Sequence, residues 1–291
     1  MLIHEQAAII AVIIAVYMSF LVFFIIAPSL ITERLYHKFI RNKSPLTSFF
    51  RCSKIGLQII ISEVIMNFDR MLAYTEALSK NNNRAWFHDN HADYDDAKED
   101  FLALLDVVKL EIAQQVPELG DRLLFENSKN FMYRIPRDMR YSKAKEPYNP
   151  AFRAYFSPKK SNFLPLSYYL HISHEGCYIE TGAYPWESKN LNILRSYIAT
   201  NFEELDEIVF ENGLAVYGEK LKRVPAGFTA DHPAADWLKY KFWLVEQSFT
   251  TDDLTDFTTF AAAASAAIRR FEPLRRYLSA AFEIPTEEDY E

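Results

Sequence analysis

Glycine is scarce in this chain, at 7 of 291 residues, and no G-x-G-x-x-G or G-x-x-x-x-G-K-[ST] occurs. Backbone loops that cradle phosphates need such glycines, so nucleotide binding of the Rossmann or P-loop kind has no support. Cysteine is nearly absent. Cys52 and Cys177 alone form neither a disulfide framework nor a metal-type spacing, and a reducing compartment is the natural reading. No paired carboxylates stand at a spacing diagnostic of acid–base catalysis, and no repeat or low-complexity block follows residue 65.

What is abundant is aromatic: 17 Tyr and 23 Phe, in a chain that is 49% hydrophobic and 24% charged. That is a globular composition with a core filled by rings. Before it stands a different object. Residues 7–27 (AAIIAVIIAVYMSFLVFFIIA) carry no charge and as a helix would span about 30 Å, the thickness of a hydrocarbon core. With no basic n-region and no cleavage site, the segment reads as an uncleaved anchor. Arg34, Lys38, Arg41, Lys43, Arg51 and Lys54 follow it, which keeps the remainder on the cytoplasmic side. A second reading is open. Met66 begins MNFDRMLAY, a natural start for a soluble domain, so residues 1–65 are either a membrane anchor and linker or an over-extended gene start. The protein is accordingly expected to be single-pass with a cytoplasmic C-terminal domain, or cytoplasmic and free of the membrane if translation starts at Met66.

Beyond residue 66 the periodicity predicts helices at 67–80, ending at Asn81-Asn82-Asn83, and at 93–116, closed by Pro117. Strand formers dominate 131–183: FMYRI, LSYYLHIS and GCYIETGAY. The last two flank His174-Glu175-Gly176 and form a hairpin. Alternation sends Leu166, Tyr168, Leu170 and Ile172 to one face, and Ser167, Tyr169, His171 and Ser173 to the other. Helices are expected at 187–200 and 203–211, a short strand at 214–217, a helix capped by Asp231 with Pro233 in its first turn, a strand at 242–250, and C-terminal helices at 252–282 broken or bent at Pro273. The fold class is α+β: a single domain, 66–291, with an antiparallel sheet flanked by helices, preceded by one candidate transmembrane helix.

The charge distribution is uneven. Residues 129–160 hold nine Lys/Arg against Asp138 and Glu146, a local +7 in a chain of net −7. Arg134, Arg137, Arg140 and Lys143 recur every third residue, and Pro136 excludes a mid-helix location. In a polyproline-like run, that period puts all four on one edge, a ledge suited to phosphate or carboxylate. Two readings compete. In one, the ledge binds a small anion; in the other, its arginines pair with acids on the 93–116 helix and with Asp138 as an internal lattice. Nucleic acid is disfavoured, because residues 66–291 carry 26 Lys/Arg against 36 Asp/Glu, a net of −10.

His88 and His91 read as solvated helix-start residues rather than metal ligands. Cys177 reads as a small core residue, and Asp231-His232-Pro233 as a cap rather than a catalytic dyad. No metal and no cofactor is expected.

The run RxxRDxRYxxxKxPY at 134–148, the earlier NNNRAWF at 81–87 and the later LKRVPAG at 221–227, with His232-Pro233 and Leu238-Lys239-Tyr240-Lys241, resemble the bacterial and fungal family DUF2461. The resemblance covers about residues 67–280 and implies no reaction. Two positions depart from the family pattern: Tyr141 stands where Phe is usual, and Ala144 where Asp or Asn is usual. The second departure puts in doubt any role for a carboxylate there as catalytic acid or metal ligand. The site expected is therefore an anion-binding one, built from Arg134, Arg137, Arg140, Lys143 and Lys145. Tyr141 and Tyr148 orient the ligand, Asp138 fixes an arginine, and Lys222 and Arg223 close the site.

Overall fold

Four strands in simple meander order carry the architecture. In the computed structural model, which describes residues 67–140, 145–157, 166–184 and 188–282, β1 (Phe152–Tyr155), β2 (Tyr168–Ser173), β3 (Gly176–Ala183) and β4 (Trp243–Ser248) lie side by side in the order β1-β2-β3-β4, every pair antiparallel. The α+β class follows. The membrane span expected at 7–27 and the start at Met66 lie outside the described residues. Among those described, no helix is long and apolar enough to cross a membrane.

The helices are α1 (Phe68–Lys80), α2 (Arg84–Asp89), α3 (His91–Gln115), α4 (Pro117–Phe125), α5 (Ser188–Glu211), α6 (Ala235–Leu238) and α7 (Phe257–Ala280). Their starts follow local chemistry. Asn67, Asn83 and Asp256 each accept a backbone N–H of the first turn of α1, α2 and α7, satisfying donors that a helix leaves free. Pro117 ends α3 and also opens α4, where a missing N–H costs nothing. A non-helical Asn201 bends α5 within what the sequence divides into two helices.

α1, α3 and α7 pack on one face of the sheet and on one another. Between them and the strands lies the core. Phe101, Phe152, Phe156, Tyr168, Trp243, Phe260 and Phe271 are fully buried, each large side chain contributing about 1.5–3 kcal/mol relative to exposure. The hairpin expected at 166–183 is present, and its faces divide as the alternation requires. Leu166, Tyr168, Leu170 and Ile172 are buried inward, with Cys177 and Ile179 beside them. Tyr169 and His171 point to the outer face, where their β3 neighbours in register are Glu180 and Tyr178.

Two expectations fail. The helix after Asp231 begins only at Ala235 and is four residues long, so Asp231 caps nothing; His232 Nδ1 instead accepts the Ala234 N–H at 3.0 Å. The segment at 214–217 makes a single bridge, Tyr217 to Leu244, rather than a strand. Of the break or bend expected at Pro273, the break does not occur: α7 continues through it.

Candidate functional site

The basic segment is extended but not polyproline-like. Residues 131–137 run antiparallel to 147–155: the Tyr133 N–H donates to the Arg153 carbonyl at 2.8 Å, the Asn149 N–H to Ile135 at 2.8 Å, and the Arg137 N–H to Pro147 at 2.9 Å. Only the bridges Met132–Ala154 and Pro136–Tyr148 form as sheet pairing, and their registers differ by two residues, so the ladder is interrupted between them where the Ala151 N–H turns back to the Asn149 carbonyl. Pairing imposes a period of two, not three. Arg134 and Arg137 therefore fall on opposite sides of the segment, and the single cationic edge expected from the threefold spacing does not form. Arg134 is exposed.

The remaining site residues separate. Arg140 grips Asp138 by two side-chain hydrogen bonds, Nε to Oδ1 at 3.0 Å and Nη2 to Oδ2 at 2.7 Å, and its backbone N–H adds a third at 3.1 Å. Those bonds hold the Asp138 carboxyl below its ordinary pKa. The pair is exposed at the tip of the turn. Tyr141, Lys143 and Ala144 lie outside the described residues, and Lys145 is exposed. Tyr148 stacks on Phe87 at 4.2 Å and 15°, a packing role. Lys222 and Arg223 are exposed beside the opposite end of the sheet order, where the Leu221 N–H donates to Lys239 and Tyr217 bridges β4. The structure does not bring them to Arg137.

Arg137 is the member that meets a cavity. A space of about 400 Å³ is lined by Arg137, Glu146, Asn149, Pro150 and Ala151 from the basic segment. Ser79 and Asn82 from the end of α1, and His171, Ser173 and Glu175 from the hairpin, complete the wall. The Arg137 Nε is buried and meets no acceptor. Its guanidinium makes no ion pair and no hydrogen bond among the described residues. Four acids of α3 are paired with other residues: Asp96 and Asp100 with Arg70, Asp95 with His91 and Lys98, and Asp106 with Lys109.

Beside the cavity, Arg153 stands on β1 in register with His171. With its amide oxygen turned toward Arg153, Asn149 accepts from Nη1 at 3.0 Å and Nη2 at 3.2 Å. The guanidinium also lies 5.4 Å from the centre of the Tyr133 ring, within cation–π range. Its Nε, like that of Arg137, has no partner.

His171 is held neutral. Burial first, then the Arg153 charge, lower its pKa from 6.5 to about 4, with Glu175 opposing. Its ring stacks on Tyr178 at 4.7 Å. Nε2 lies 3.1 Å from Ser173 Oγ, and Nδ1 lies 3.3 Å from the Tyr169 hydroxyl. Ser173 donates its own proton to the Gly176 carbonyl at 3.1 Å. It must therefore accept from Nε2–H, which leaves Nδ1 to accept from Tyr169. Farther along the same face, Glu180 accepts from Tyr217 at 2.6 Å and Tyr184 at 3.1 Å, and burial raises its pKa.

The first two motifs of the sequence meet here. Asn82, from the run at 81–87, takes the Tyr148 N–H on its Oδ1 and gives its Nδ2 to the Tyr148 carbonyl, both at 3.0 Å. Phe87 of the same run carries the Tyr148 ring. A family model described as "Conserved hypothetical protein (DUF2461)" matches residues 70–277, which include both motifs. The chain belongs to the DUF2461 family. No curated protein and no solved structure matches it. In this DUF2461 protein, sequence reasoning left Asn82, Asn149, Arg153 and His171 without roles. Arg153 stands in the basic window, but its tie to the cavity comes from a strand register that composition does not carry. Among the described residues, no group of three or more His, Cys, Asp or Glu is placed to hold a metal. Cys177 is buried, with its thiol pKa raised by burial, which makes it a poor nucleophile.

Proposed function

We propose that this domain binds a small phosphorylated or carboxylated ligand, with Arg137 as the anchoring cation. The observation that carries the reading is that Arg137 lines a cavity while its guanidinium, buried Nε included, has no partner among the described residues. A buried, unsatisfied donor on a charged group is costly, and an oxyanion is the partner that its planar fork fits best. Arg153 stiffens the wall behind it, and the neutral His171 supplies no competing charge. Arg140, with Asp138 on its guanidinium, has a structural part in this reading. Arg134 and Lys145, both exposed, are second in line, through long-range attraction only.

The alternative is a non-catalytic structural or interaction protein in which the motif is an internal salt-bridge lattice. The Asp138–Arg140 clamp favours it. A lattice, however, would engage Arg137 as well. Isothermal titration of the full chain with inorganic phosphate and with acetate tests the first reading. Binding that disappears in Arg137→Met supports it; no binding by wild type, or binding unchanged in the variant, overturns it in favour of the lattice.

A further inference from the structure

The wall of the Arg137 cavity is not uniformly cationic. Glu146 and Glu175 line the same space, the first on the return limb of the basic segment and the second in the β2–β3 turn. Both are exposed, and neither makes an ion pair or a side-chain hydrogen bond among the described residues. The other polar groups of the wall are largely engaged. The Asn82 amide is bound at both ends to Tyr148, the Asn149 oxygen faces Arg153, Ser173 serves Gly176 and His171, and Ser79 donates to the Glu76 carbonyl at 2.8 Å. What stays available is the Arg137 guanidinium, the NH2 of Asn149 and two carboxylates.

From this pattern we infer that the ligand is a small zwitterion of the amino-acid type: its carboxylate on Arg137, its ammonium between Glu146 and Glu175. The inference rests on the anion-binding reading of Arg137 and narrows it. A bare phosphate or a sugar phosphate would bring one or two negative charges past two unneutralised carboxylates, in a domain whose net charge is already −10 (26 Lys/Arg, 36 Asp/Glu), and like charges facing each other repel. An ammonium at the same carboxylates turns that repulsion into attraction. Size agrees: about 400 Å³ lies in the range of small-molecule sites, roughly 300–1,000 Å³, and leaves room for a carbon chain beyond the anionic group. The mostly polar wall excludes a large apolar body. It suits short-chain or polar amino acids.

A ladder of ω-amino acids tests this and reads the charge spacing. The full-length protein is titrated calorimetrically with glycine, β-alanine, 4-aminobutyrate and 6-aminohexanoate. Each is matched by the acid that lacks the amine and the amine that lacks the acid, with inorganic phosphate as a further arm. The expected result is that one zwitterion binds about tenfold or more tighter than its matched acid, the scale of a close charge pair. In the double substitution Glu146→Gln and Glu175→Gln, both at exposed positions, that advantage disappears while the weaker acid binding remains. Arg137→Met removes both. If phosphate or the matched acids bind as tightly as every zwitterion, or if the double substitution leaves the ratio unchanged, the zwitterion inference is wrong and the anion reading survives. If no compound in the ladder binds, both fall.

Discussion

Asn82 pairs with the backbone of Tyr148 as one strand residue pairs with another, giving and taking a hydrogen bond of 3.0 Å each. A side chain at the end of α1 thereby does the work of a missing strand neighbour, and it fixes the limb that carries Glu146 and Asn149.

Replacing Asn82 with alanine leaves an N–H and a carbonyl of Tyr148 without partners. The expected loss of stability is about 1–3 kcal/mol, read from urea denaturation. Asn82→Asp keeps only the acceptor and should fall between the two. Equal stability of all three proteins would mean that water replaces the amide at no cost.

Gly182 is the one residue of β3 with positive φ, at +132°, and a Cβ there would fall on the Trp243 carbonyl oxygen. Because the obstacle is backbone in the adjacent strand, it cannot rotate away. Gly182→Ala is expected to cost more than about 3 kcal/mol, or to give insoluble protein on expression. Gly176→Ala, with nothing within 4 Å of its added methyl, is the control and should be nearly silent.

Glu272 and Arg275 form a buried pair on α7, Nε to Oε2 at 2.7 Å and Nη2 to Oε1 at 2.8 Å, with the Tyr168 hydroxyl donating to Glu272 at 3.0 Å. Arg275→Met strands a carboxylate in the core. A loss of about 3–5 kcal/mol is expected, and adding Glu272→Leu should recover much of it. Chemical denaturation of the single and double variants checks both numbers.

His171 sets an acid limit on the fold. Its folded pKa of about 4 lies below the unfolded 6.5, so the native state binds fewer protons. Its contribution is complete above pH 6.5 and is lost as pH falls toward 4. At 1.36 kcal/mol per pKa unit the full span is at most about 3 kcal/mol. Glu180 acts with the opposite sign: its raised pKa favours the folded state at low pH and weakens it as pH rises through and above the ordinary carboxylate range. NMR titration of the imidazole tests the first assignment directly, and denaturation at pH 7 and pH 5 with His171→Gln should show a smaller difference than wild type.

The hairpin was legible because alternation over eight residues leaves only one way to bury Tyr168, Leu170 and Ile172. The charge anomaly at 129–160 was legible as well, but its geometry was not. A threefold repeat makes an edge only in a segment without a partner, and the partner here, residues 147–155, is interrupted by Pro147 and Pro150 and reads poorly as a strand. Arg153 and His171 acquire their positions only through register, and Asn82 only through the packing of α1 against β2. Asp231-His232-Pro233 carries a capping signature, yet the chain turns twice before α6, because Thr229, His232 and Ala235 close successive turns.

Both borders of the sheet are lined by irregular chain. On one side residues 131–137 take the outward N–H and C=O groups of the limb that includes β1; on the other Tyr217 exchanges two backbone bonds with Leu244, at 2.8 and 3.0 Å. Gly218 permits that approach, since any side chain there would strike the Phe242 carbonyl. Along these stretches a foreign strand finds no row of free hydrogen-bonding groups to extend. At these positions self-templated polymerisation through the sheet margins, the hazard that accompanies a four-stranded meander, is opposed by segments too short to be strands themselves.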